Sequence, residues 1–350
     1  MRIGVSSSRL DLRGGMERYA LTLANGLLDR GIEVVAFCRR ADPGLPETRR
    51  LRDIRRVPVC WLPGKFRPRW FSWRLDRLRR GAGLDLHIAC CLLEHPDIAV
   101  CGGTHRGYLA AMGKKPGRFD RWTIDLEDRQ YANARLIVAH SRLMRDELVS
   151  LYGVEPARIR LIYPPVDAGR FRPAVPEERL RLRREFGFPD NRRVFLFVSG
   201  GHVRKGFPFL REFFTETDLP VELAVAGRPA GPGRNIRGLG FSSRIEALYQ
   251  AADAVILASA YEPFGLVGAE AALCGTPVVL AENVGCCEVL SRPLLHTFRA
   301  GDRESLAAAI RETLAAGRPE PARLGYDPGV QAHLEALLRA AEGDQRAARE

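Results

Sequence analysis

Short apolar runs recur along this chain. Each is followed by a polar or glycine-bearing loop and then by a stretch of helical periodicity. Arg2–Val5, Glu33–Phe37, Ile54–Trp61, Leu84–Ala89, Ile98–Cys101, Ala134–Ala139 and Arg158–Ile162 read as strands of a first half. Val194–Val198, Val221–Ala226, Ile236–Gly240, Ala254–Ala258, the Val278–Leu280 end of AALCGTPVVL and Leu294–Phe298 read as strands of a second. Between them, helical spacing predicts helices over Met16–Arg30 (Leu21, Leu23, Ala24 and Leu27 on one side), Arg67–Arg80, Phe119–Tyr131, Arg142–Tyr152 with Ser141 as its cap, Glu177–Phe186, Ser243–Ala251, Asp302–Ala315 and Pro328–Glu350. Alternating strands and helices make an α/β protein with doubly wound parallel sheets.

The double proline of Tyr163-Pro164-Pro165-Val166-Asp167 reads as an interdomain linker. At 350 residues the chain is too long for one ordinary core. The expected division is therefore 1–167, 168–328, and a last helix over 329–350 that returns to the first domain.

Composition changes the picture in three ways. No apolar run approaches the ~18 residues of a membrane span, and MRIGVSSS reads as a strand and a turn, not a signal peptide, so a cytoplasmic protein is expected. The eight cysteines contain no C-x-x-C pair and no zinc spacing, so none is read as a ligand. The net charge of +12 is uneven: Arg39–Arg80 holds fourteen basic and four acidic residues. Within it, RPRWFSWRLDRLRR is a basic helix bearing Trp70, Phe71 and Trp73. Such a helix suits an anionic membrane surface, and equally an ordinary surface helix whose aromatics face the core. Nucleic acid is not expected, because no helix-turn-helix, zinc or RNA-binding signature accompanies the charge.

Candidate chemistry gathers in three loops. Glu262 and Glu270 stand at the two ends of EPFGLVGAE, a strand-to-helix turn. At about 1.5 Å per helical residue they lie on the order of 10 Å apart, the reach from a sugar across a pyrophosphate to a ribose. The plain alternative is that Glu262 caps the helix and Glu270 is a solvated helix residue. SGGHVRKGF (Ser199–Phe207) is a second glycine-rich turn with adjacent cations, Arg204 and Lys205, suited to a pyrophosphate at about 1.5–3 kcal/mol per charge-assisted bond. It matches neither the dinucleotide fingerprint nor a P-loop. In the first half, Gly14-Gly15 permits close backbone approach. His105 follows Gly102-Gly103 in a loop after a strand, placed to meet a sugar or to be satisfied by neighbours.

Taken together, RGGMER, ARLIVAHS, RIRLIYPPVDAGRFRP, SGGHVRKGF and AADAVILASAYEPFGLVGAEAALCGTPVV resemble glycosyltransferase family 4 over nearly the whole chain. Asp253, Glu262, Phe264, Gly265, Glu270, Ala271, Gly275, Pro277 and Val278 stand at the family's spacing. Cys101–Leu109 looks most like the bacterial branch with the lipopolysaccharide core glucosyltransferases. The resemblance implies the GT-B fold, two Rossmann-like domains with the active site in the cleft between them. It implies that Glu262 holds donor-sugar hydroxyls and that Phe264, Gly265 and Leu266 offer amides to phosphate or sugar. Glu270 would take the ribose hydroxyls, and Arg204, Lys205 and Gly201 the departing diphosphate. Gly14 and Gly15 would close on the phosphates, Gly227, Arg228 and Leu239–Phe241 would edge the base, and His105 would serve the sugar or the transition state.

The implied activity is retaining transfer of a hexose, glucose first, from a UDP-sugar to a lipid-linked or lipopolysaccharide-core glycan, by front-face substitution. No cofactor and no metal are expected, since Arg and Lys can neutralise the phosphates and the nearest D-x-D, Asp125-Leu126-Glu127, looks helical. The nearest alternatives are a GDP-mannose-dependent mannosyltransferase and a nucleotide-sugar epimerase of the same fold. A non-catalytic polyanion- or membrane-binding protein is the alternative of another class. A peripheral position on the cytoplasmic face of the inner membrane is the added expectation of the basic helix. Two departures from the family pattern stand out: Val284-Gly285-Cys286-Cys287-Glu288, where Gly-Gly-x-x-Glu is common, and the lack of a Gly in Ser291–Arg299.

Overall fold

The computed structural model describes residues 1–12, 14–318 and 323–347, with the backbone alone for 344–347. It divides into two compact units. One comprises Met1–Pro165 with the segment from Gly329 onward, and the other Val166–Pro328.

In the first unit the chain runs β1 (Arg2–Ser6), β2 (Arg9–Leu10), α1 (Gly15–Asp29), β3 (Glu33–Cys38), β4 (Arg40–Ala41), α2 (Pro46–Arg49), β5 (Asp53–Arg56), α3 (Arg67–Arg80), β6 (Leu86–Ala89), β7 (Ile98–Cys101), α4 (His105–Ala111), α5 (Arg118–Asn133), β8 (Leu136–Ala139), α6 (Arg142–Tyr152) and β9 (Ile159–Leu161). Among the described residues its main sheet has seven parallel strands in the order β5-β3-β1-β6-β7-β8-β9. The apolar runs have no polar alternation because helices cover both faces of such a sheet. On one face α1 and the terminal helix (Val330–Ala347) pack around Leu21, Leu27, Leu334 and Leu337, on the other α3 around Phe71 and Leu75. Each of those leucines, fully buried, contributes about 1.5–3 kcal/mol. The terminal helix is also held by polar contacts. His333 Nδ1 donates to the Tyr163 carbonyl at 2.8 Å, so its Nε2 accepts from the Tyr19 hydroxyl, also at 2.8 Å.

Two expectations change here. The strand expected over Ile54–Trp61 is limited to β5. The Val57 amide still reaches the Cys38 carbonyl at 2.8 Å, but Pro58 has no N–H to continue the ladder. His105, expected in a loop, is the first residue of α4, because Thr104 caps that helix by accepting from the Gly107 amide at 3.0 Å. Ser141 caps α6 as its type predicts.

The second unit runs α7 (Pro176–Glu185), β10 (Arg193–Ser199), α8 (Phe207–Glu216), β11 (Val221–Gly227), β12 (Ile236–Gly240), α9 (Ile245–Ala251), β13 (Ala254–Leu257), α10 (Leu266–Leu273), β14 (Val278–Ala281), β15 (Leu295–Phe298) and α11 (Arg303–Ala316). Its six described strands are parallel, in the order β12-β11-β10-β13-β14-β15. The chain winds outward one way from β10 and then the other way from β13, so the loops leaving these two strands diverge and open a crevice at the sheet's carboxyl edge. Asp253 secures the opposite end of β13. It pairs with Arg183 at 2.9 Å and Arg179 at 2.8 Å from α7 and accepts from the Val194 amide at 2.8 Å.

Candidate active site

The loop leaving β10 carries Arg204 and Lys205, and the loop leaving β13 carries Glu262. The switch point therefore gathers the cations and the first carboxylate, although Arg204 and Glu262 stand 58 residues apart. The two loops are joined through the main chain, with the Ala260 amide donating to the Arg204 carbonyl at 2.9 Å. Gly206 makes this approach possible: its φ is +77°, and a Cβ there would stand 1.9 Å from the Ala258 carbonyl oxygen.

Arg204 Nη1 donates to the Tyr261 carbonyl at 2.6 Å and to Glu262 Oε2 at 3.1 Å. The Ser259 hydroxyl lies 3.4 Å from the same Oε2, so among the described residues no donor occupies Oε1. Glu262 does not cap α10; that position belongs to Gly265 at φ +88°. Its own main chain is tied sideways, its carbonyl accepting from the Gly285 amide at 3.0 Å. The Cys286 amide likewise reaches the Phe264 carbonyl at 2.6 Å. The departing segment Val284–Glu288 thus buttresses the Glu262 turn, and the amides of Gly285 and Cys286 are spent on that support.

Lys205 Nζ donates to the Val198 carbonyl at 3.0 Å. Burial pushes its pKa below the usual lysine value, while the charges of Glu262 and Glu270 oppose that shift and Arg204 adds to it. Lys205 therefore sits in the field of both carboxylates. Glu270 is not the solvated residue of the plain alternative. It is 5% exposed and accepts from the Tyr249 hydroxyl at 2.9 Å on Oε2.

The rest of the β10 loop is braced towards β11. His202 Nε2 faces the Pro229 carbonyl at 3.0 Å and must donate to it, so Nδ1 accepts from the Ser199 hydroxyl at 3.1 Å. Ser199 Oγ in turn accepts from the Gly201 amide at 3.2 Å. Gly227 runs so close that a Cβ would stand 2.3 Å from the Ser199 carbonyl oxygen, which also accepts from the Arg228 amide at 3.0 Å. The Arg228 side chain is exposed, and Phe241, one residue beyond β12, is 88% exposed.

The first unit carries the remaining candidates at its own switch point, between β1 and β6. Gly14 precedes α1 in extended conformation, and Glu17 folds back over it, its Oε2 within 2.1 Å of where a Cβ would stand. Space beside the glycine pair is thus taken first by a carboxylate of the same helix. A cavity of about 330 Å³ lies past the ends of β6 and β7, lined by Met16, Cys91, Gly102, His105, Tyr108 and Glu127 among others. The His105 ring bonds through Nε2 to Asp120 Oδ1 at 2.9 Å, and its amide meets Glu127 Oε1 and Oε2 at 3.1 and 3.0 Å.

Sequence reasoning missed Ser199, Tyr249 and Glu127. Ser199 was signalled by its place at a strand end before two glycines. Tyr249 had no signal, since its partner lies 21 residues away across another element. Glu127 was weighed only as part of a metal motif.

The Glycosyltransferase Family 4 model matches residues 13–170, and the Glycosyl transferases group 1 model matches residues 178–327. A probable transglycosylase of Burkholderia thailandensis is 46% identical over 349 residues, spanning 97% of this chain and 96% of that one. A D-inositol 3-phosphate glycosyltransferase of Xylanimonas cellulosilytica is 31% identical over 386 residues, spanning 93% and 92%. Among solved structures, WaaG, a glycosyltransferase involved in lipopolysaccharide biosynthesis, superposes with a TM-score of 0.76 at 18% identity over 99% of this chain and 98% of its own. Anabaena HepE in complex with UDP-glucose gives 0.71 at 17% identity over 98% and 99%. Two parallel-sheet domains, both family models and a 46% identical relative along nearly the full length agree: the chain belongs to glycosyltransferase family 4 and has the GT-B fold.

Proposed function

We propose that this glycosyltransferase moves glucose from UDP-glucose, with retention of anomeric configuration, to a hydroxyl of a lipid-linked or lipopolysaccharide-core glycan. The observation that carries this reading is the convergence of Arg204, Lys205 and Glu262 on one switch point of the second unit. A diphosphate gains charge as its bond to the sugar breaks, and two cations held beside it stabilise that charge more than the ground state. The sugar C1–oxygen bond to the diphosphate breaks, a C1–oxygen bond to the acceptor forms on the same face, and the acceptor proton passes to the departing diphosphate oxygen. Glu262 Oε1 takes a sugar hydroxyl and Glu270 the ribose. The Phe264, Gly265 and Leu266 amides, with Gly201, face the phosphates, and Gly227 and Arg228 edge the base. Gly14 and Gly15 are assigned to the phosphates, and His105 meets the sugar. No metal takes part, because Arg204 and Lys205 supply the positive charge. HepE's complex with UDP-glucose supports the choice of donor, and WaaG's role in lipopolysaccharide biosynthesis the choice of acceptor.

Thermal shifts with UDP-, GDP- and ADP-sugars, with and without EDTA, test the donor. UDP-glucose at 100 times its dissociation constant stabilises the native state by about 2.7 kcal/mol, a rise of about 5 °C or more, unaffected by EDTA. A shift with GDP-mannose alone would transfer the proposal to a mannosyltransferase. No shift with any nucleotide sugar would end it.

A second reading, peripheral attachment to the cytoplasmic face of a membrane, has its own observation. No helix among the described residues is long and apolar enough to cross a membrane. Yet Phe71 and Leu75 of α3 are buried in the core with Trp70 and Leu78 packed against it, while Trp73 is 43%, Trp61 62% and Phe66 44% exposed. Trp61, Trp70 and Trp73 form one chain of ring contacts at 5.2 and 4.9 Å, and Phe66, Trp122 and Phe119 form another at 5.3 and 5.4 Å. Lys65, Arg69, Arg77 and Arg118 lie over these rings. Aromatic rings edged by cations suit an anionic interface. Trp70→Ser with Trp73→Ser is expected to lower sedimentation with anionic vesicles at least about tenfold; unchanged association would remove the attachment.

A further inference from the structure

We propose that Glu127 is a positioning residue for His105, fixing the main chain of the turn that carries the imidazole. The inference rests on the reading of His105 as a residue that meets the sugar.

A helix begins with amide groups that have no partner inside it. In α4 each of the first three is given one. The His105 amide goes to both oxygens of Glu127. The Arg106 amide donates to the Tyr152 hydroxyl at 3.2 Å, and that hydroxyl donates on to Glu127 Oε2. The Gly107 amide goes to the Thr104 hydroxyl, which donates to Glu147 Oε2 at 2.5 Å. Carboxylates from α5 and α6 therefore grip one turn of a seven-residue helix, and Asp120 holds the ring from its far side.

The choice of residue at 127 is costly as structure alone. Glu127 is 4% exposed, and the guanidinium of Arg106, on the turn it holds, is spent on Asp128 at 2.9 and 2.8 Å. A buried carboxylate without a guanidinium or ammonium paired to it is destabilising, and an apolar or amide residue would avoid that. What a carboxylate does and a glutamine cannot is accept on both oxygens at once. Burial raises the Glu127 pKa to about 7, the bonds from Tyr152 and His105 and the charge of His105 opposing the rise and Asp128 adding to it. Facing it are His105 and Arg106 of α4, Asp128 and Tyr131 of α5, Glu147 and Tyr152 of α6, and Cys101 of β7. A folded-state pKa above the ordinary 4.5 means stability fully present below about pH 4.5 and lost as pH rises through about 7. The ionised grip on His105 is thus made at the expense of stability, as suits a positioning device.

The test uses the full chain and two readouts. Without substrate, the His105 amide resonance of the wild type is expected to titrate with a midpoint near pH 7 and to stop doing so in Glu127→Gln. With UDP-glucose as the probe and UDP release as the signal, Glu127→Gln is expected to lower kcat about tenfold at unchanged KM, and to add nothing in a His105→Ala background. Tyr152→Phe, which keeps the carboxylate, is the second variant and is expected to lower kcat in the same way. An amide that does not titrate, or a loss of kcat that is equally large without His105, overturns the proposal. Failure of the wild type to release UDP sinks the donor assignment instead, and leaves the amide titration to decide whether Glu127 holds the turn.

Discussion

Lys205→Ala is expected to lower turnover of UDP-glucose by about 10²–10³-fold while the chain still folds, the size of effect seen when one preorganised donor is removed from a developing oxyanion. The Lys205 ammonium is held at a strand end by the Val198 carbonyl, partly stripped of water, in the field of Glu262 and Glu270. Charge in that setting acts more strongly on a departing diphosphate than the same charge in water. Lys205→Met keeps the reach and removes the charge, so it should lose as much; most of the loss should fall on kcat. The Val198 carbonyl loses one hydrogen bond in either variant, worth about 1 kcal/mol, so the melting temperature should fall by only a few degrees. Steady-state kinetics beside a melting curve decides the matter. Retention of more than about a tenth of the turnover in both variants would remove Lys205 from the mechanism.

Glu262→Ala should be comparably severe, again about 10²–10³-fold in kcat/KM, for a different reason. Its Oε2 is already engaged by Arg204, so the substitution removes the Oε1 acceptor and at the same time takes one of Arg204's two acceptors, leaving the Tyr261 carbonyl to hold it. Stability should change little. The Arg204–Glu262 pair has side chains 35% and 13% exposed, which screens it to about 1 kcal/mol or less. The main-chain bond from Gly285 to the residue 262 carbonyl survives. Glu262→Gln keeps a neutral acceptor and should fall between the two. If Glu262→Ala retains a third or more of the wild-type rate with an unchanged melting curve, the sugar-binding role assigned to it is wrong.

The elements were legible because their signals are local. Strands buried on both faces are near-continuous apolar runs, and the caps Ser141 and Asp302 mark the starts of α6 and α11 within a residue. The strand read furthest past its end, Ile54–Trp61, stops at Arg56, since Pro58 has no N–H to continue the ladder. Arg204 and Lys205 stood out because adjacent cations in a glycine-rich strand-to-helix turn suit a pyrophosphate, and Glu262 and Glu270 because they bracket another such turn. Their partners could not be read. Tyr249 is a buried aromatic like any other until α9 sets its hydroxyl against Glu270, and Val284–Glu288 was only a departure from the family pattern until its amides were seen to support the Glu262 turn.

By itself, then, the sequence determined most of the strands and helices in their order, the two-domain division, the family, and which charged residues stand in the glycine-rich turns. The elements and the charged turns follow from periodicity and spacing over a few residues; the family came from the resemblance of whole motifs. Only the tertiary structure decided which charges share a field. It joined Arg204 to Glu262 across 58 residues, took Glu270 out of solvent, and closed Glu127 and Tyr152 over the amides of His105 and Arg106. The reason is physical: a doubly wound sheet brings the loops of strands distant in sequence to one edge, and burial there sets the strength of every charge the sequence had placed.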